Sequence, residues 1–228
     1  MSVAPAHWRK SERKYNFKVV VDFQTILASP DETYDEGRRF FRGKGMLNKA
    51  LLKIAADLDR EKIEYAAIGA IAMNRHGFRR FTEDIDLLLT REGLERFHAV
   101  LVGRDYRPAF ESARKQFRTT DRVPVDIVTA GEFPGDGLPK SVVFPDPADF
   151  AVIIDGVKTI TLEKLIELKL ASGMTATDRL KDLADVQELI KLKGLDETFG
   201  ESLDVYVQDK YRELLEGVVS ATRFESRL

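Results

Sequence analysis

The chain has 228 residues, of which 43% are hydrophobic and 32% charged, and its formal net charge is −2. This composition predicts a globular protein with one sizeable core and a smaller appendage, without the strongly basic field of a protein that coats nucleic acid. The absence of cysteine excludes disulfides, thiolate metal sites and a cysteine nucleophile. No apolar run reaches the roughly 20 residues of a membrane span, and no apolar N-terminal segment is seen, so we expect a cytoplasmic protein.

Residues 1–44 are predicted to form an N-terminal extension. The apolar run KVVVDFQTIL (residues 18–27) favours a strand, and the acidic, turn-rich SPDETYDEG (residues 29–37) favours a loop. The segment RRFFRGKG (residues 38–45) then combines basic residues with two phenylalanines. Two interpretations of it stay open: contact with an RNA backbone and base, or a helix start with solvated cations and buried phenylalanines.

Residues 45–160 are predicted to be a mixed sheet flanked by helices. Apolar residues recur at helical spacing from Met46 to Arg60, and Tyr65–Ile68 is typical of a short buried strand. Gly69 then marks a turn, and Ala70–Arg75 is predicted to form the first turns of a helix that ends near His76-Gly77. A strand followed by a glycine and a helix start exposes backbone N–H groups, which suits a phosphate.

Two carboxylates occupy the next predicted strand, although aspartate is depleted in strands. In the run DIDLLL, Asp84 and Asp86 alternate with apolar residues, so both project from one face of an extended segment. Like charges about 7 Å apart repel unless a cation lies between them, and Mg²⁺ prefers carboxylate oxygens. From these residues alone, three interpretations remain open: a metal site, the start of a solvated strand, and pairing of the acids with Arg79 and Arg80.

The later strands follow from similar patterns. RDYRPAF and KQFRTT favour two strands, VPVDIVTA favours a strand that carries Asp126, and AVIIDGVKTI favours a hairpin with an Asp-Gly turn. The basic residues Arg114, Lys115 and Arg118 are predicted either to line one side of a cleft or to protect an exposed strand edge. Residues 161–228 have helical periodicity and are predicted to form a C-terminal helical lobe.

The strand, the glycine turn and the motif HGFRRFTEDIDLLL resemble the signature of the nucleotidyltransferase superfamily that includes DNA polymerase beta. The form GAIAMNRHGFRRFTEDIDLLL is similar to that of AbiEii-type toxins of toxin–antitoxin and abortive-infection systems. The resemblance covers residues 47–192. The sequence departs from the family pattern at Ala70, where a second glycine or a serine is usual, and alanine offers no hydroxyl to a phosphate.

The resemblance implies an α+β fold of the nucleotidyltransferase type and transfer of an NMP from an NTP to an acceptor hydroxyl, with release of pyrophosphate. It implies two Mg²⁺ ions held by three acids, which are Asp84, Asp86 and Asp126. The residues predicted to bind the nucleotide are Gly69, Ala70, Arg79, Arg80, Lys169 and Asp182. Asp185 competes with Asp182 for the last of these positions.

The acceptor is left open by the resemblance. The candidates are the 3′ end of a tRNA, another RNA, a protein hydroxyl and a small molecule such as an aminoglycoside. A toxin would also have a cognate antitoxin protein as its partner. The alternative function, favoured by Ala70, is a catalytically inactive nucleotide- or partner-binding protein on the same fold.

Overall fold

The computed structural model describes residues 22–225, with the side chains of residues 22–221. The helices within this range are α1 (Phe23–Leu27), α2 (Pro30–Phe40), α3 (Met46–Arg60), α4 (Gly69–Arg75), α5 (Arg91–Val100), α6 (Pro147–Phe150), α7 (Leu162–Thr175), α8 (Leu180–Lys193), α9 (Glu197–Glu201) and α10 (Val205–Glu225). The strands are β1 (Tyr65–Ala67), β2 (Ile85–Leu89), β3 (Tyr106–Pro108), β4 (Gln116–Thr119), β5 (Pro124–Thr129), β6 (Ala151–Ile154) and β7 (Val157–Ile160).

All seven strands of the described range form one sheet, in the order β3-β4-β5-β2-β1-β7-β6. β2 runs parallel to β5 and β1 parallel to β7, whereas the other neighbours are antiparallel. The predicted mixed sheet flanked by helices is therefore confirmed. The Asp-Gly hairpin also forms, and Asp155 and Gly156 both adopt the positive φ that such a tight turn requires.

The sheet separates two hydrophobic clusters. Leu87 and Leu89 of β2 pack with α3 and α5, whereas Leu88 of β2 and Val128 of β5 pack with α7, α8 and α10. Since successive side chains of a strand point to opposite faces, Asp86 shares the face of Leu88. The acidic residues of the sheet are thereby directed towards the C-terminal helices.

The N-terminal region differs from its sequence prediction. Phe23–Leu27 forms helix α1 instead of a strand, because the Asp22 carboxylate accepts a hydrogen bond from the Gln24 amide at 2.9 Å and caps the helix; residues 18–21 lie outside the described range. The predicted acidic loop is helix α2, which has Pro30 in its first turn, acids at its start and cations at its end. The segment RRFFRGKG therefore ends α2 and supplies Gly45, the N-cap residue of α3.

The C-terminal part is helical, as predicted. Helix α8 ends at Gly194, which adopts the left-handed conformation with φ +61°. Helix α7 runs through Gly173, which packs closely on α8: an added Cβ would lie 2.6 Å from the Leu183 side chain. Within residues 22–225, no helix has both the length and the apolar character needed to cross a membrane.

Candidate active site

The three predicted acidic residues meet where β2 and β5 lie side by side. The parallel register places Asp86 opposite Asp126, and Asp84 immediately precedes β2. One carboxylate oxygen from each residue lies within 4.8 Å of the other two. The Thr82 hydroxyl donates a hydrogen bond of 2.5 Å to Asp84. Among the described residues, this acid cluster is the one group of three acidic or histidine side chains compact enough to hold a metal ion.

The acid cluster carries negative charge that its surroundings do not neutralise. Burial, followed by the charges of Asp84 and Asp126, raises the pKa of Asp86 to about 7, with Lys169 and Arg179 opposing the shift. Burial and the Asp84 charge also raise the pKa of Asp126. In the described part of the chain, no lysine or arginine forms an ion pair with Asp84, Asp86 or Asp126, and the nearby cations pair with Asp182 and Asp185 instead. A divalent cation would relieve this repulsion, and an all-carboxylate donor set suits Mg²⁺.

Gly69 lies directly against the acid cluster. Its φ of +58° is left-handed, and an added Cβ would overlap the Asp86 carboxylate, whose Cγ would be 2.9 Å away. The preceding Ile68 amide donates to the Asp86 carbonyl oxygen at 3.0 Å. Glycine alone satisfies both the backbone conformation and the available space here. The next residue, Ala70, is buried and does not line the space beside the acids.

Two cavities adjoin the acid cluster. The first, which we call the α7–α8 cavity, has a volume of about 300 Å³ and includes Gly69, Lys169, Ser172 and Asp182 in its wall. The second, the β4–β5 cavity, has a volume of about 590 Å³. Its wall includes Phe110, Arg114, Lys115, Gln116 and Asp126. The residues common to both cavities are Asp86, Val128, Glu132 and Arg179.

Lys169 and Asp182 belong to an ion network between α7 and α8. The Lys169 ammonium lies 2.8 Å from Asp182 and 2.7 Å from Asp185. Burial by itself would raise the pKa of Asp182, but the Lys169 charge and hydrogen bonds from Lys169 and Ser172 lower it overall. Asp182 lines the α7–α8 cavity and Asp185 does not. The structure thus separates the two aspartates that the sequence left in competition.

Arg79 and Arg80 contact different parts of the protein. Nη1 of Arg80 lies 2.7 Å from both carboxylate oxygens of Asp185, which ties the segment before β2 to α8. Arg79 is exposed and lines a third cavity together with Phe41 and Arg75. Neither arginine is among the residues that line the α7–α8 or the β4–β5 cavity. Their contact with a nucleotide stays a prediction.

Arg179 is a cation of the site that the sequence analysis missed. It precedes α8 as its N-cap residue, it is exposed, and it lines both cavities beside the acid cluster. Its charge lowers the pKa values of Asp86 and Asp182, against the larger raising effect of burial. The signal was present in the segment RLKDLAD, where Arg179 stands three residues before Asp182.

Comparison with known proteins gives structural likenesses only. No family model and none of the curated proteins matches the chain. The antibiotic-resistance factor ANT(2″)-Ia in complex with adenylyl-2″-tobramycin is similar with a TM-score of 0.44 and 16% identity, over 76% of this chain and 95% of that one. An antigenic nucleotidyltransferase-like protein from Paracoccidioides brasiliensis has a TM-score of 0.42 and 17% identity, over 63% and 75% of the two chains. JHP933 from Helicobacter pylori has a TM-score of 0.41 and 15% identity, over 79% and 94%. Likenesses at this level do not by themselves assign a function.

Proposed function

We propose that this protein is a metal-dependent nucleotidyltransferase, which moves an NMP from an NTP to an acceptor hydroxyl and releases pyrophosphate. The observation that supports this most is the convergence of Asp84, Asp86 and Asp126 between two cavities, beside the Gly69 turn. A group transfer between two substrates needs two binding spaces that meet at one charged centre. The acid cluster and its two cavities have this arrangement.

The three aspartates would hold two Mg²⁺ ions, which when bound neutralise charge on the attacking and leaving oxygens. Asp126 has a further role in the proposal. As the acceptor oxygen bonds to the α-phosphorus and the bond from that phosphorus to the bridging oxygen breaks, the hydroxyl proton passes to the Asp126 carboxylate. Asp126 lines only the β4–β5 cavity, which supports placing the acceptor there.

The NTP is assigned to the α7–α8 cavity. This cavity combines Gly69, Lys169 and Asp182, which are three of the residues predicted to bind the nucleotide. In the proposal, the β- and γ-phosphates lie near the backbone amide of Gly69, and the Lys169 ammonium faces the polyanion. Ala70 is buried and does not line this cavity, so its missing hydroxyl does not prevent the arrangement.

Arg179 is assigned the neutralisation of charge on the α-phosphate. The sequence resemblance implied nucleotide binding by Arg79 and Arg80. Arg80 is engaged by Asp185, whereas Arg179 stands where the two cavities meet. A preorganised cation at the point where charge develops in the transition state lowers the barrier.

The acceptor in the proposal is an RNA, with the 3′ end of a tRNA as the specific candidate from the sequence resemblance. Arg114 and Lys115 line the β4–β5 cavity, although Lys115 is paired with Glu132. The exposed Phe110 ring in the same wall offers a stacking surface for a base. A toxin role and a cognate antitoxin belong to the same proposal and depend on the sequence resemblance.

Incubation of the protein with each α-labelled NTP, Mg²⁺ and total RNA tests the proposal. We expect label on RNA from the wild type, and none from Asp84→Ala with its fold intact by circular dichroism. Asp209→Ala, which changes a 95% exposed aspartate on α10, is the matched control and should transfer normally. Transfer that persists in Asp84→Ala would refute the site assignment. NTP binding without transfer to RNA, protein or aminoglycoside would support the alternative of an inactive binding protein.

A further inference from the structure

A third cavity lies outside the candidate active site, where the end of α2 meets α3, α4 and the turn between β6 and β7. We call it the α2–α4 cavity, and its volume is about 410 Å³. Volumes in this range accommodate small ligands or single groups of larger ones. The residues that matter in its wall are Phe40, Phe41, Leu52, Asn74, Arg75 and Arg79.

An exposed aromatic ring forms part of the wall. Phe41 is 41% exposed, whereas Phe40 is 5% exposed and belongs to the hydrophobic core. The Phe40 ring packs edge to face against Phe41 at 5.3 Å and against Phe81 at 5.4 Å. Phe40 thus anchors the chain at this point and leaves the Phe41 ring open to solvent. An open ring in a concave surface is a platform on which a nucleobase stacks.

Exposed cations lie in the wall of this cavity and close to Phe41 in the sequence. Arg39, Arg42, Lys44 and Arg79 are exposed, and none of the four forms an ion pair with another described residue. Arg75 is the exception, since it lies 3.1 Å from Asp155. The cavity wall itself holds two cations, Arg75 and Arg79, and one acid, Asp155. A surface of this kind complements a phosphate backbone.

We propose that the α2–α4 cavity binds one nucleotide of a single-stranded RNA, with the base on Phe41 and the adjoining phosphates on Arg79 and the cations at the end of α2. The planar guanidinium of arginine recognises phosphate through paired hydrogen bonds and stacks on flat rings. The ring inside the cavity and the cations around it therefore favour a base with its phosphates over an acidic peptide. The segment RRFFRGKG, which the proposed transfer reaction leaves without a role, acquires one here.

The α2–α4 cavity is connected to the acid cluster by α4. The Asn74 side chain lines the cavity and exchanges hydrogen bonds with the backbone of Arg80 at 2.5 and 3.0 Å. Gly69 begins and Arg75 ends this seven-residue helix, which spans about 10 Å. In the proposal, an RNA held in the cavity extends from there towards the acid cluster. Its role as a second anchor for an RNA acceptor rests on the proposed function, whereas binding in the cavity does not.

Fluorescence anisotropy with a 5′-fluorescein-labelled ten-nucleotide RNA of mixed sequence tests the inference on the full chain. The titration is made in EDTA, so that no metal ion contributes. We expect Phe41→Ala and Arg79→Ala each to raise Kd at least about fivefold, as loss of one stacked base does. Phe41→Tyr should retain binding because it keeps the ring. Arg104→Ala is the matched control, since Arg104 is exposed, lines none of the three cavities and has no ion pair among the described residues.

The outcomes separate this inference from the proposed transfer reaction. Asp84→Ala should bind the RNA as the wild type does, even though its transfer activity is lost. Free UMP and unlabelled RNA are then tested as competitors. If UMP displaces the labelled RNA from the wild type but not from the Phe41 and Arg79 variants, the natural ligand is a mononucleotide. If only unlabelled RNA displaces it, the ligand is RNA. Failure of the wild type to bind the RNA would overturn the inference. So would unchanged Kd values in both variants, or equal displacement by a peptide of alternating glutamate and leucine.

Discussion

The Lys169 ammonium of α7 lies 2.7 Å from the Asp185 carboxylate of α8, and both side chains are buried. The same ammonium also serves Asp182, whereas Asp185 has a second partner in Arg80. The Lys169 cation therefore stabilises both Asp182 and Asp185 of α8, next to the acid cluster. Removal of one partner from a buried ion pair leaves an uncompensated charge, which costs more than the pair itself contributes.

We expect Lys169→Met to lower the free energy of unfolding by about 3–5 kcal/mol at neutral pH, as for other buried pairs that lose one partner. Arg80→Met should cost less, because Arg80 is 25% exposed and Lys169 still holds Asp185. Urea unfolding measures both. Lys191→Met, which breaks only an exposed pair with Glu188, is the control and should change stability by less than about 1 kcal/mol. Equal midpoints for Lys169→Met and Lys191→Met would contradict the assigned network.

Gly69→Ala should displace the Asp86 carboxylate of the acid cluster, in addition to straining the backbone. Gly69 and Gly103 both have positive φ, but an added Cβ meets Asp86 in the first case and no atom within 4 Å in the second. Both alanine variants should lose about 1 kcal/mol or more of stability from the left-handed conformation. Only Gly69→Ala should also weaken the binding of Mn²⁺, measured by calorimetry. Similar Mn²⁺ affinity in the two variants would show that Gly69 does not set the position of Asp86.

The raised pKa of Asp86 predicts a pH-dependent stability. Its carboxyl titrates near 3.8 when unfolded and at about 7 when folded, so its contribution is fully present below pH 3.8 and is lost as pH rises to about 7. The metal-free protein should lose on the order of 2–4 kcal/mol through this group across that interval. Asp86→Asn should remove this part of the slope, measured by urea unfolding in EDTA.

A divalent cation should reverse the trend, because it binds the ionised carboxylates. The increase in Tm on addition of Mg²⁺ should therefore be larger at pH 8 than at pH 6. The same increase at both pH values, or an unchanged slope in Asp86→Asn, would be inconsistent with a metal site at the acid cluster. Asp209→Asn, at an exposed position, serves as the control for both measurements.

Arg179→Ala should lower kcat/KM for nucleotidyl transfer by about 10- to 100-fold, as loss of one preorganised donor does. Arg179→Lys should recover part of the activity because it keeps the charge. Arg104→Ala is the matched exposed control and should be unaffected. Mn²⁺ affinity should stay within about twofold in all three variants, which distinguishes a role towards the phosphates from one in holding the metal. If Arg179→Ala keeps the wild-type kcat/KM, Arg179 does not neutralise the α-phosphate, and Arg79 and Arg80 become the candidates.

Short-range patterns were sufficient for much of the fold. The helix Met46–Arg60, the hairpin turn at Asp155 and the common face of Asp84 and Asp86 follow from periodicity and turn chemistry over a few residues. Helix α2 was mispredicted because its many polar residues suggested a loop. Its Ser29-Pro30 start, early acids and late cations were the better indicators.

The sequence by itself determined which residues could form an acid cluster, a glycine turn and a basic aromatic segment, since these properties depend on neighbours along the chain. The family resemblance implied that Asp126 joins Asp84 and Asp86, and the tertiary structure decided which residues meet. The parallel pairing of β2 with β5 brings Asp126 beside Asp86. The packing of α8 places Asp185 against Arg80 and places Arg179 in the walls of the two cavities. Contacts between segments 40 to 105 residues apart depend on strand order and helix packing, which no local pattern encodes.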